Sequence, residues 1–121
     1  EKSKKGITNY KGVPFNGFIT ETYSNGQLRE KKTYKDGKKD GVYEWYFENG
    51  QLEEKGTYKD GVADGAVERY YENGQLRLKG TYKDGKKYGA IEIYYENGQL
   101  RWKGTYNGVI EKYNEDGTRR N

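Results

Sequence analysis

The chain has 121 residues, enough for one domain, and with 31% hydrophobic against 35% charged residues it is too polar for a thick two-layer core. Yet it carries 14 Tyr, 3 Phe, 2 Trp and 18 Gly, which excludes the aromatic-poor composition of a disordered chain and suits strands joined by tight turns. There is no Cys and no His, which rules out disulfides, the usual zinc sites and histidine acid–base chemistry, and the 23 basic and 19 acidic residues are interspersed rather than gathered as nucleic-acid binding requires.

The chain opens Glu1-Lys2-Ser3-Lys4-Lys5, without Met, as a trimmed boundary or a removed signal peptide would leave it. A secreted or envelope-associated location is therefore expected over a cytoplasmic one. No apolar run approaches the ~20 residues that span a bilayer.

A half-unit, 1–15, comes first, and its Tyr10 to Gly17 has the spacing of Tyr34 to Gly41. Four units follow, 16–39, 40–63, 64–87 and 88–111, each with one Asn-Gly-Gln-Leu: at Asn25-Gly26, Asn49-Gly50, Asn73-Gly74 and Asn97-Gly98. A shortened half-unit, 108–121, ends the array with Glu115-Asp116-Gly117 in place of Glu-Asn-Gly. The whole of 1–121 is one repeat array with two atypical ends.

Asn-Gly between aromatic-rich, alternating runs predicts a hairpin with a two-residue type I′ turn, both central residues at positive φ. Centred on Asn49-Gly50, it places Phe47 opposite Leu52, Trp45 opposite Glu54, Tyr43 opposite Gly56 and Gly41 opposite Tyr58. On the other face Tyr46 meets Glu53, Glu44 meets Lys55 and Val42 meets Thr57. Gly56, Gly80 and Gly104 would lie under Tyr43, Val67 and Ile91, and Gly41, Gly65 and Gly89 under Tyr58, Tyr82 and Tyr106. The second turn, residues 59–64, has its Asp-Gly off-centre, which predicts a bulge. Continued through it, the register aligns Glu44, Lys55, Glu68, Lys79, Glu92 and Lys103 in one row of alternating sign, a solvated, self-neutralising face.

The opposite face gathers Tyr23, Leu28, Phe47, Leu52, Tyr71, Leu76, Tyr95 and Leu100, with Glu21, Glu30, Trp45, Glu54, Arg69, Leu78, Ile93 and Trp102 beside them. No helical period appears, so nothing in the chain is expected to cover this face. The fold class is all-β: a single-layer, twisted antiparallel sheet of stacked hairpins, ten strands and about 45 Å long. At the far end Tyr106-Asn107-Gly108 predicts a tight turn with Val109 opposite Tyr106 and Tyr113 opposite Trp102. Counting from the repeat instead places Ile110 on that face.

The segment "YYENGQLRLKGTYKDGKKYG" and its copies resemble the MORN-repeat variant, most closely the repeats of the YwqK-type antitoxin family. The resemblance runs from about Tyr10 to Gly117. It implies a bacterial protein built of stacked hairpins, with no catalytic residue set. It implies scaffolding, dimerisation or membrane-proximal roles, and the antitoxin likeness implies a chain that silences a partner toxin. The Glu-Asn-Gly-Gln turn departs from ordinary MORN repeats; membrane contact is allowed by the resemblance and unsupported by the residues. "WYFENG" at 45–50 has a fainter likeness to choline-binding cell-wall repeats, although Arg69 and Ile93 replace Trp45 in the next units.

Almost every polar residue has a copy 24 positions away, so the unique constellation an enzyme needs is absent, and no cofactor or metal is expected. "KDGKKDG" at 35–41 lacks the oxygen ligands and final Glu of an EF-hand loop. No strand–GxGxxG–helix unit occurs. The expected function is a non-catalytic protein-binding scaffold or interaction module, with a protein partner or self-association. An antitoxin or immunity protein is the alternative, and a glycan-binding wall module the third. The candidate binding residues are those on the aromatic face where the repeat is broken: Trp45, Arg69, Leu78, Ile93 and Trp102.

Overall fold

A computed structural model of the chain describes residues 8–106, 108 and 110–120. Every regular element among them is a strand: β1 (Asn9–Tyr10), β2 (Val13–Pro14), β3 (Gly17–Thr22), β4 (Leu28–Lys35), β5 (Lys38–Tyr46), β6 (Leu52–Lys59), β7 (Val62–Ala63), β8 (Gly65–Tyr70), β9 (Leu76–Lys83), β10 (Lys86–Lys87), β11 (Ala90–Tyr94), β12 (Leu100–Thr105), β13 (Ile110–Tyr113) and β14 (Arg119–Arg120). Ten of them run side by side in the order β3-β4-β5-β6-β8-β9-β11-β12-β13-β14, with β7 on β6 and β10 on β9. All pairings in this sheet are antiparallel between neighbours in sequence. The all-β sheet of stacked hairpins read from the sequence is the fold.

The two turn chemistries are exchanged relative to the sequence expectation. Around Asn49 the Phe47 amide donates to the Gln51 carbonyl (2.8 Å) and the Gly50 amide to the Phe47 carbonyl (3.0 Å), which encloses three residues, 48–50. Gly50 has φ +90°, whereas Asn49 is not among the non-glycine residues of positive φ. The turn is thus the three-residue kind that ends on a left-handed glycine. Phe47 therefore pairs with Gln51, not Leu52, and Tyr46 pairs with Leu52, not Glu53. Glu53 is then an extra residue in β6, and from Trp45↔Glu54 inward every expected pair holds, to Gly41↔Tyr58. The third turn residue displaces the register by one, and the bulge restores it. Arg29, Arg77 and Arg101 occupy the same bulge in the other units.

Type I′ turns occur at the Asp-Gly pairs instead. Asp36 and Gly37 have φ 51° and 80° between Lys35 and Lys38, and Asp60-Gly61, Asp84-Gly85 and Lys11-Gly12 repeat the pattern. The expected bulge follows each Asp-Gly turn. Between Tyr34↔Lys39 and Lys32↔Tyr43 one strand advances two residues and the other four. Gly41, at φ +110°, turns that corner. An added Cβ there would meet Thr33 Cγ2 at 3.3 Å, and at Gly65 Thr57 Oγ1 at 2.6 Å. These glycines are required by backbone conformation and by the threonines beside them, not by cover from Tyr58 and Tyr82; at Gly89 nothing lies within 4 Å.

The units are stitched together along the Asn-Gly edge. Each Asn bonds its own turn, as in Gln51 N–H to Asn49 Oδ1 (2.8 Å), and its amide donates to the next turn's Glu carbonyl. Asn25 reaches Glu48 (3.1 Å), Asn49 Glu72 (3.2 Å), Asn73 Glu96 (3.1 Å) and Asn97 Glu115 (2.8 Å). The Tyr23, Tyr71 and Tyr95 hydroxyls donate in the same direction to the carbonyls of Tyr46, Tyr94 and Tyr113. The last turn ends both ladders. Asn114 stands where Tyr95 would recur and bonds Thr118, while Asp116, with no amide to donate, accepts from Thr118.

At the C-terminal end β13 pairs as Trp102↔Lys112, Lys103↔Glu111 and Gly104↔Ile110. The expected Tyr113 opposite Trp102 is therefore wrong by one position, and Ile110 shares the face of Trp102. Five residues, an odd number, separate the paired Gly104 and Ile110, whereas a two-residue turn would need an even number; the predicted Val109–Tyr106 pair lies outside the described residues.

The core is thin and belongs to one face. Tyr34, Tyr43, Val67 and Ile91 are its buried hydrophobic residues, and none is completely enclosed. Tyr43, Val67 and Ile91 face Gly56, Gly80 and Gly104, so a small residue opposite each large one lets neighbours close over it. Among the described residues no second layer lies over this face; its middle row is buried by its own neighbours.

Candidate interaction face

The strand register brings the five candidate residues into one line. Glu21↔Glu30, Glu30↔Trp45, Trp45↔Glu54, Glu54↔Arg69, Arg69↔Leu78, Leu78↔Ile93, Ile93↔Trp102, Trp102↔Lys112 and Lys112↔Arg120 are consecutive pairs across ten strands. Trp45 and Arg69 are exposed, while Leu78, Ile93 and Trp102 are half-buried. At one strand per ~4.8 Å, Trp45 to Trp102 spans about 24 Å.

One part of the row is held more firmly than the rest. Glu54 is only 7% exposed, yet both its carboxylate oxygens are engaged: Tyr43 Oη donates to Oε2 (2.7 Å) and Arg69 Nε to Oε1 (2.7 Å). A buried carboxylate is tolerated when paired and hydrogen-bonded in this way. The Tyr43 ring lies against Trp45 (centroids 5.8 Å apart) and Tyr58 (5.1 Å). Burial first, and then the bond to the Glu54 carboxylate, pushes the Tyr43 hydroxyl well above the usual tyrosine range. Arg69 is thereby fixed at the centre of the row.

Sequence reasoning named Arg69 but missed Tyr43 and Glu54 as its supports. The signal was present. Unit 40–63 alone has Tyr where the other units have Ile19, Val67 and Ile91, and Arg69 replaces an aromatic or aliphatic residue in the next unit. These departures become neighbours once the register is drawn.

The other face is quieter. Lys31, Glu44, Lys55, Glu68, Lys79, Glu92, Lys103 and Glu111 do alternate across it. Among the described residues, however, only Lys103–Glu111 closes to an ion pair, at 3.4 Å. Glu44, Glu68 and Glu92 lie instead beside Tyr46, Tyr70 and Tyr94, whose hydroxyls are pushed upward by burial and then by these carboxylates. Along-strand neighbours two residues apart share a face and win over the lysines opposite.

Among the described residues no group of three or more acidic side chains could hold a metal ion. The described cavities are shallow grooves between strands and turns; that of about 290 Å³ is lined by Ala90, Ile91, Glu92, Lys103, Gly104, Thr105 and Glu111. Among the described residues no helix is long and apolar enough to cross a membrane. A family profile described as MORN repeat variant matches residues 20–36, 39–60, 63–84 and 87–107, more than half of the chain. No curated protein matches it.

Proposed function

We propose that this chain, which belongs to the MORN repeat variant family, is a non-catalytic interaction module that binds a protein partner through the row Trp45, Arg69, Leu78, Ile93 and Trp102. The observation that supports this most directly is the coincidence of sequence and geometry. The position at which all four units differ, Glu21, Trp45, Arg69 and Ile93, and the variable position paired with it, Glu30, Glu54, Leu78 and Trp102, fall in one line on one face, whereas the Asn-Gly turn residues common to all units serve the fold. Large aromatic and arginine side chains are the usual anchors of interfaces. An antitoxin is one form of this reading, with a toxin as the partner. A glycan module would require an aromatic at the Trp45 position of each unit, where Arg69 and Ile93 stand.

The test compares Trp45→Ala/Trp102→Ala with Glu68→Gln/Lys79→Gln in partner capture and sedimentation. The tryptophan variant is expected to lose at least ~2 kcal/mol of association, the level of an interface hot spot. Loss in the charge-row variant alone would place the interface on the other face.

A further inference from the structure

Resting on that reading, we infer the chemistry of the partner: an amphipathic helix whose apolar stripe is bracketed by carboxylates, lying across β8, β9, β11, β12 and β13. The face carrying the row changes character along its length. Its acids, Glu21, Glu30 and Glu54, fall in the first half, and each is already engaged: Glu21 with Arg29, Glu30 with Lys32 at 2.9 Å, Glu54 with Arg69. From Val67 onward the face carries Arg69, Leu78, Tyr82, Ile91, Ile93, Trp102, Ile110, Lys112 and Arg120, with no Asp or Glu.

The cations there are available. Lys112 and Arg120 are exposed and form no ion pair among the described residues, and Arg69 offers Glu54 only its Nε. Between them lie Leu78, Ile93 and Trp102, with Ile110 50% exposed beside them. The pattern is cation, apolar, apolar, apolar, cation, one residue per strand. Arg69 to Lys112 spans four strand spacings, roughly 19 Å at ~4.8 Å each. A helix presents one side chain of a stripe per turn, about 5.4 Å, so three apolar side chains with a flank at each end take four turns and place the same-face flanks ~14 residues, about 21 Å, apart. Carboxylates at those flanks would meet Arg69 and Lys112. The aliphatic Leu78 and Ile93 favour such a stripe over the stacked bases of a nucleic acid.

The probe is a synthetic helix of about four turns with Leu on one stripe at helical spacing and Glu at each end. Its binding to the full chain is measured by fluorescence anisotropy, against the same helix with Lys flanks and an all-Glu peptide. The Glu-flanked helix is expected to bind most tightly. Lys112→Glu/Arg120→Glu should weaken it at least ~10-fold and strengthen the Lys-flanked helix, while Lys55→Glu on the opposite face changes neither. Trp102→Ala should weaken the Glu- and Lys-flanked helices alike, by ~30-fold, the hot-spot level at a factor of ten per 1.4 kcal/mol. Equal binding of the all-Glu peptide would overturn the apolar stripe, and indifference to the Lys112/Arg120 reversal would overturn the acidic flanks. Dependence on Trp102 without dependence on the charges would leave the interaction face standing and this partner chemistry rejected. Sedimentation of the chain alone completes the test: a self-associated chain whose association needs Trp102 would assign the face to a second copy instead.

Discussion

Gly56 and Gly80 occupy the same place in successive units but not the same surroundings. A Cβ on Gly56 would sit 2.6 Å from the Tyr43 ring, whereas one on Gly80 would meet Val67 and Ile91 at 3.8 and 3.9 Å. Gly56→Ala must push the ring away from Glu54, and about 1–3 kcal/mol of stability should be lost, as in other overpacked sites. Gly80→Ala makes ordinary contacts at a position without positive φ and should be neutral or stabilising by up to ~1 kcal/mol, through reduced freedom of the unfolded chain. Urea denaturation of the two variants checks the contrast. Tyr43 also gives the chain a pH dependence. Its folded pKa is raised, so unfolding exposes a more acidic phenol. The stabilisation is fully present below the ordinary tyrosine value near 10 and is lost as pH rises through the folded pKa. Denaturation midpoints should hold level up to about pH 10 and then fall, with a shallower fall in Tyr43→Phe. A limb unchanged by that substitution would contradict the assignment.

At the scale of the turn, the Asn side chain performs two tasks, closing its own loop and reaching the next. Asn49→Ala removes both the Gln51 bond and the Glu72 bond and should cost about 1–2 kcal/mol, the sum of two exposed hydrogen bonds. Phe47 is the one gap in the tyrosine ladder, so the Tyr70 carbonyl lacks the hydroxyl that Tyr46, Tyr94 and Tyr113 receive. Phe47→Tyr should complete it and add about 0.5–1.5 kcal/mol, measured as a raised urea midpoint. The turns also show what sequence can and cannot convey. The period of 24, the hairpins and the pairs from Trp45↔Glu54 to Gly41↔Tyr58 were legible because alternation and turn spacing fix them. The turn types were not. Asn-Gly and Asp-Gly suit both geometries, and the choice depends on Asn amides finding carbonyls in the next unit, which only stacking supplies. Likewise the line of Trp45, Arg69, Leu78, Ile93 and Trp102 followed from register alone. The burial of Glu54 did not, because it required Tyr43 and Arg69 from two other strands to converge on one carboxylate.

Across the whole molecule, stability is shared among neighbours rather than concentrated in a core. A unit is held only by the units beside it, and the last one ends the pattern with Asn114, Asp116 and Thr118 bonded among themselves. The two faces divide the remaining work: one spends its charges on its own tyrosines and lysines, and the other presents Trp45 and its row. The charge-row variant Glu68→Gln/Lys79→Gln should accordingly lose less than about 1 kcal/mol of fold stability, as surface pairs do. Oxidative footprinting of the chain, free and with its partner bound, tests the assignment of faces most directly. Protection is expected at Trp102, with Tyr46, Tyr70 and Tyr94 on the opposite face unchanged. Protection of those tyrosines, with Trp102 as reactive as in the free chain, would contradict it.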